Sequence, residues 1–214
     1  MSTYKTYIFD LDGTLLDTLS DLASSVNHAL RSVGLPERTE EEVRCFVGNG
    51  VRMLMKRAIP GGEQNVHFEE AFAEFKRYYL LHDKTQTKPY DGILEMLTEL
   101  KSGGARIAVV SNKFQAATQS LCGHYFKNLV DVAVGEHSGV KKKPAPDIVE
   151  EALQKLGVGK EDAVYVGDSD VDIMTARNSG LPCISVLWGF RDKEFLKDHG
   201  ATRFAVVPQD LVAG

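Results

Sequence analysis

The sequence predicts an α/β protein: a parallel sheet covered by helices on both faces, interrupted after its first strand by an all-helical insertion. Three observations lead there. Short continuous apolar runs, such as Tyr7-Ile8-Phe9, Ile107-Ala108-Val109-Val110 and Val164-Tyr165-Val166, read as strands buried on both faces. Helical patterns separate these runs from residue 93 onward, the alternation that builds parallel sheets. Between them, residues 17–88 show helical spacing and no strand candidate. With 214 residues, 43% of them apolar, the chain is long enough for such a core and a smaller inserted unit.

Taken in order, Tyr4 to Phe9 reads as the first strand. Leu22, Ala23, Val26, Ala29, Leu30 and Val33 recur at helical spacing, and Gly34 follows as a natural stop. Thr39-Glu40-Glu41-Glu42 is a capping-box start for a second helix. Val51 to Ile59 forms a third, stopped by Pro60-Gly61-Gly62. Phe68 to Leu81 forms a fourth, its Phe68, Phe72, Phe75 and Tyr79 making one apolar row suited to a core. After Pro89-Tyr90-Asp91-Gly92 come a helix (93–101), a strand (106–110), a helix (114–124), a strand (130–134), a helix (146–156), a strand (163–166), a helix (170–178) and strands at 183–187 and 204–207. The division is therefore a core of residues 1–16 and 89–214 and a helical insertion of residues 17–88. Such an insertion would stand over the carboxyl ends of the strands, where open parallel sheets bind ligands.

Bulk properties narrow the function. The net charge of -5 offers no basic footprint for nucleic acid. Cys45, Cys122 and Cys183 are odd in number and far apart, which gives neither a disulfide framework nor a CxxC metal site. A strand within the first ten residues leaves no room for a secretory leader, and no 18-residue apolar run could span a bilayer. A cytoplasmic protein without membrane partner is expected, as monomer or homodimer. Gly157-Val158-Gly159-Lys160 lacks full P-loop spacing and reads as a helix stop. The six histidines show no HExxH pattern.

Chemistry gathers just past the strand ends. Asp10-Leu11-Asp12-Gly13-Thr14 follows the first strand, with two acids that alternation would point the same way and a glycine suited to a sharp turn. Ser111-Asn112-Lys113 follows the second, Lys143-Pro144-Ala145-Pro146 opens a helix, and Gly167-Asp168-Ser169-Asp170-Val171-Asp172 follows another strand. Singly, each has a bland alternative: a turn at Asp10–Gly13, a helix cap at Ser111-Asn112 or at Asp168-Ser169, a solvated run at Lys141-Lys142-Lys143. Four together at successive strand ends suit a hard cation with nucleophilic and acid/base chemistry.

With these four motifs in this order, the chain resembles a phosphatase of the haloacid dehalogenase superfamily along its whole length. The resemblance implies a Rossmann-like core with a mobile helical cap; the double crossing between insertion and core places the expected hinges near residues 16–19 and 87–92. The resemblance implies Asp10 as the nucleophile that forms an aspartyl-phosphate, and Asp12 as general acid/base. Thr14 and Ser111, with the Asn112 backbone N–H, would bind the phosphoryl oxygens, and Lys143 would stabilise nucleophile and phosphate. Mg²⁺ would be held by Asp10, Asp168 and the Asp12 backbone carbonyl, with Asp172 holding a water on the metal or orienting Lys143. A carboxylate attacking a phosphate dianion meets charge repulsion, which is the physical need for the cation and the lysine. Dehalogenases of the superfamily lack an acid two residues after the nucleophile and need no Mg²⁺, so Asp12 and Asp168 argue against that chemistry.

Phe46-Val47-Gly48-Asn49-Gly50-Val51 resembles a cap segment of the phosphoglycolate phosphatase branch, which implies that Gly48, Asn49 and Gly50 face the substrate. On the bare sequence the same residues also read as an interhelix turn with Asn49 as N-cap. The expected partner is a small phosphorylated metabolite, 2-phosphoglycolate first, with pyrophosphate, nucleoside monophosphates and sugar phosphates as alternatives. A β-phosphoglucomutase-type mutase and a non-catalytic binding module remain competing readings.

Overall fold

The structure, a computed structural model, describes residues 4–213; residues 1–3 and 214 of the expected core lie outside them. In chain order the elements are β1 (Thr6–Phe9), β2 (Leu16–Asp17), α1 (Leu19–Ser32), α2 (Glu40–Phe46), α3 (Val51–Ala58), α4 (Phe68–His82), β3 (Lys88–Pro89), α5 (Ile93–Ser102) and β4 (Arg106–Phe114). Then follow α6 (Gln115–Tyr125), β5 (Val132–Glu136), α7 (Asp147–Leu156), β6 (Ala163–Gly167), α8 (Asp170–Ser179), β7 (Cys183–Val186), α9 (Lys193–Asp198), β8 (Phe204–Ala205) and α10 (Asp210–Ala213). The chain divides into two compact units, Met1–Asp17 with Pro89–Gly214, and Thr18–Lys88.

The first unit is built on a six-stranded sheet of order β5-β4-β1-β6-β7-β8, every neighbouring pair parallel. Alternation along each strand feeds two cores. Tyr7, Phe9, Ile107, Val109, Val164 and Val166 pack on one face with Ile93, Met96, Leu97 and Leu100 of α5. Ile8, Ala108, Val110 and Tyr165 pack on the other with Ile148, Val149, Ala152 and Leu153 of α7. Burial of each such large side chain contributes about 1.5–3 kcal/mol. Strands that follow β1 first add on one side, through β4 to β5, and then on the other, from β6 to β8. The order therefore reverses between β1 and β6, the kind of point where open α/β sheets place their ligands.

The second unit is helical. Leu22, Val26, Ala29 and Leu30 of α1 and Phe68, Phe72, Phe75 and Tyr79 of α4 are all buried, the faces their spacing predicts. Thr39 caps α2: its hydroxyl accepts from Glu42 N–H at 3.2 Å, and the Glu42 carboxylate accepts from Thr39 N–H at 2.8 Å. Buried Asp21 near the start of α1 accepts from the backbone N–H groups of Gln86 and Thr87 and from the Thr87 hydroxyl.

The sequence reading differs from the structure at several edges. β4 runs on through Ser111-Asn112-Lys113, with a register shift against β5 after Val110, so these residues are the irregular end of a strand rather than a loop beyond it. The helices α9 and α10 were not anticipated; α9 has six residues and buries only Leu196, too little for a helical period to be read. At the start of α3 the N-cap is Gly50, not Asn49, and no side chain caps the helix.

Candidate active site

The register of three strands assembles the site. Phe9 of β1 stands opposite Val109 of β4 and Val166 of β6. The next residues of each strand therefore leave the sheet at one edge, and Asp10 N–H still bonds to the Val166 carbonyl at 2.9 Å. Asp10, the end of β4 and Gly167-Asp168 are brought together from positions more than 50 residues apart.

Lys143 is the cation of this edge. Its ammonium donates to Asp10 Oδ1 at 2.6 Å, Asp172 Oδ1 at 2.9 Å and the Tyr165 hydroxyl at 3.1 Å. Tyr165, fully buried on β6, donates in turn to Asp172 Oδ1 at 2.8 Å. Burial works against the charge on Lys143, but the charges of Asp10 and Asp172 more than reverse this and hold it above the ordinary lysine value. Asn112 fixes the loop that delivers Lys143: its side chain accepts from Lys143 N–H at 2.8 Å and donates to the Lys143 carbonyl at 3.0 Å.

Asp168 is clamped on both oxygens. Oδ1 accepts from the Thr14 hydroxyl at 3.1 Å and Oδ2 from Phe190 N–H at 2.8 Å. Two glycines make room for it. Gly13 has φ +87°, and a Cβ there would lie 2.4 Å from Asp168 Oδ2; a Cβ on Gly189 would lie 2.3 Å from Asp168 Cβ. Asp172 is saturated differently. Oδ1 serves Lys143 and Tyr165, while Oδ2 accepts from Ser169 N–H and hydroxyl and closes the capping box that starts α8.

Asp12 is set apart from these acids. Its Oδ1 pairs with the ammonium of Lys113 at 2.9 Å. Ser111, at the same strand end, is buried and accepts from Lys113 N–H at 3.2 Å. The two acids of the first loop thus have separate lysines: Lys143 for Asp10, Lys113 for Asp12.

The charges do not balance around Asp10. Ligand oxygens of Asp10, Asp168 and Asp172 lie within 4.8 Å of one another, and Lys143 is the ammonium between two of these acids. Burial, with the neighbouring carboxylates adding to it, pushes Asp10 well above the usual carboxylate range against the pull of Lys143. Burial, then the charge of Asp172, pushes Asp168 up to about 7. A compact all-oxygen donor set with surplus negative charge fits a hard divalent cation. Asp172 is the most committed of the three: each of its oxygens takes two hydrogen bonds, against one on each oxygen of Asp168.

A family model described as haloacid dehalogenase-like hydrolase matches residues 7–186. The chain belongs to this family. Within the haloacid dehalogenase-like hydrolases it falls on the phosphatase branch. It is 35% identical over 193 residues to the phosphoglycolate phosphatase of Aquifex aeolicus, covering 87% of this chain and 86% of that one. It is 33% identical over 207 residues to phosphoglycolate phosphatase 1 of Pseudomonas aeruginosa, covering 91% and 74%. A solved structure from Lactobacillus delbrueckii subsp. bulgaricus superposes with a TM-score of 0.93 at 38% identity, covering 99% of this chain and 97% of that one.

Several residues of this family member's site escaped the sequence reading or act differently. The hydroxyl of Thr14, expected at the phosphoryl oxygens, donates to Asp168, and its side chain is fully buried. Tyr165 was read only as part of an apolar strand. Trp188-Gly189-Phe190 was passed over; its position just after β7 was the available signal. Gly48, Asn49 and Gly50 belong to the helical unit, where they form three consecutive positive-φ residues at +121°, +63° and +88°. The Arg57 guanidinium donates to the Phe46 carbonyl at 2.7 Å and the Gly48 carbonyl at 3.4 Å, bracing that turn.

Proposed function

We propose that the protein hydrolyses a small phosphomonoester, 2-phosphoglycolate first among them, through an aspartyl-phosphate on Asp10. The buried contact of Asp10 with Lys143, beside Asp168 at the sheet edge, carries this reading. Asp10 attacks phosphorus, and the P–O bond to the leaving group breaks as the Asp10–phosphorus bond forms. Asp12 gives a proton to the leaving oxygen. It then takes one from the water that attacks phosphorus, freeing Asp10 and inorganic phosphate. Lys143 offsets the charge of nucleophile and phosphoryl group, with Asp172 and Tyr165 holding it in place. The Ser111 hydroxyl and Asn112 N–H bind phosphoryl oxygens, and Thr14 keeps Asp168 oriented.

Asp10, Asp168 and the Asp12 backbone carbonyl would hold Mg²⁺. When bound, it would lower the repulsion between the anionic nucleophile and the phosphate ester. Substrate selection falls to the helical unit, with the turn at Gly48-Asn49-Gly50, braced by Arg57, as its selecting segment. The names of the two curated relatives support phosphoglycolate as the ester. Among the described residues no helix is long and apolar enough to cross a membrane.

The test is phosphate release from 2-phosphoglycolate, pyrophosphate, nucleoside monophosphates and sugar phosphates, with Mg²⁺ and with a chelator. Mg²⁺-dependent preference for 2-phosphoglycolate supports both chemistry and substrate. Broad weak hydrolysis keeps the chemistry and removes the substrate. Isomerised sugar phosphate without free phosphate would move the protein to the mutases.

A further inference from the structure

We infer that Lys113 is a positioning residue for Asp12: its ammonium holds one carboxyl oxygen and so decides which oxygen exchanges a proton with the ester. This rests on the reading of Asp12 as the acid/base group. The Lys113 Nζ to Asp12 Oδ1 distance is 2.9 Å, and the side chains are 2% and 16% exposed. The cation therefore lies on the protein side of the pair and the acid on the outer side, where an ester would meet Asp12 first. The backbone of Lys113 is anchored as well. Its N–H donates to the Ser111 hydroxyl at 3.2 Å, its carbonyl accepts from the Thr118 hydroxyl at 3.4 Å, and Gly135 packs so close that a Cβ there would lie 2.7 Å from that carbonyl.

An ion pair whose cation is buried is a poor device for stability alone, since desolvation of that charge offsets much of the attraction. Its use here is geometric. Oδ1 accepts from the ammonium, so the proton that Asp12 transfers sits on Oδ2. In the first half-reaction that proton passes to the leaving oxygen as its bond to phosphorus breaks. In the second, the attacking water returns a proton to Asp12 as the Asp10–phosphorus bond breaks. Lys113 keeps its own protons throughout.

The experiment compares kcat/KM for two esters, the alkyl phosphate preferred in the panel above and p-nitrophenyl phosphate. An alkoxide needs a proton to depart, whereas p-nitrophenolate does not. Lys113→Met is expected to lose about 10²-fold on the alkyl ester, a part of what acid/base assistance supplies, and only a few-fold on the aryl ester. Lys113→Arg should recover most of the alkyl activity. In an Asp12→Asn background, Lys113→Met should add less than about twofold on the alkyl ester, since the pair acts as one unit. Kinetics are read on variants whose circular dichroism and urea midpoint match wild type, with Lys113→Gln taking the place of Lys113→Met should the latter not fold; equal losses on both esters, or full additivity with Asp12→Asn, then overturn the inference. Wild-type protein inactive on both esters, or Asp12→Asn fully active on both, overturns the reading of the site itself, a separate failure.

Discussion

The ammonium nitrogen of Lys143 lies 2.6 Å from Oδ1 of Asp10, with both side chains out of solvent. Removing one partner of a buried pair leaves an uncompensated charge, which costs far more than losing both. Lys143→Met is therefore expected to lower kcat by about 10²–10³-fold or more, the scale of losing one electrostatic stabiliser. It should also destabilise the core by about 3–5 kcal/mol. Steady-state kinetics and urea titration check the two effects, and a variant within threefold of wild type in kcat would contradict the role.

Burial raises Asp168 to about 7, whereas in an unfolded chain an aspartate titrates near 4. Across that window the folded protein without metal binds more protons than the unfolded chain, so its stability falls as pH rises. A divalent cation competes with that proton. Millimolar Mg²⁺ is expected to raise Tm more at about pH 8 than at about pH 5.5, read by scanning calorimetry. An equal or larger gain at the lower pH would remove Asp168 from the ligand set.

Asp21 holds the helical unit closed on itself. Its carboxylate accepts from Gln86 N–H at 3.0 Å, Thr87 N–H at 2.9 Å and the Thr87 hydroxyl at 2.8 Å, in a buried setting. Hydrogen bonds to a charged group contribute about 1.5–3 kcal/mol, and orphaned donors cost further. Asp21→Ala should thus cost about 3 kcal/mol or more in urea unfolding, with Asp21→Asn intermediate. An alanine variant within about 0.5 kcal/mol of wild type, the scatter of surface substitutions, would contradict this account.

Burial pushes the thiols of Cys122 and Cys183 up to about 12, while Cys45 is exposed. The thiolate is the reactive form, so a disulfide reagent at about pH 8 should modify one thiol rapidly in native protein. All three should react once the chain is unfolded. Cys45→Ser should abolish the rapid phase; a rapid phase that survives this substitution would refute the assignment.

Much of the site was legible because its residues follow apolar runs. Asp10 after Tyr7-Ile8-Phe9 and Asp168 after Val164-Tyr165-Val166 stand out by local pattern, and strand ends are where parallel sheets carry chemistry. Asn112 was legible as a site residue but not as the side chain that clamps Lys143, since the bland alternative, a helix cap, fits the same local text. Tyr165 was hidden inside an apolar strand: which face it joins is settled by the pleat, and its hydroxyl meets Lys143 only because β6 lies beside β1.

The sequence alone determined the order of the main elements, without β2, β3, α9 and α10, the helical character of 17–88 and the set of acids and lysines at the strand ends. Those features follow from periods of two and 3.6 residues and from turn chemistry, all short-range. Tertiary structure decided the pairing: Lys143 to Asp10, Lys113 to Asp12, Thr14 to Asp168. These partners are separated by 101 to 154 positions. Which cation meets which acid depends on strand order and register, set by packing two apolar faces at once and written in no local stretch of the chain.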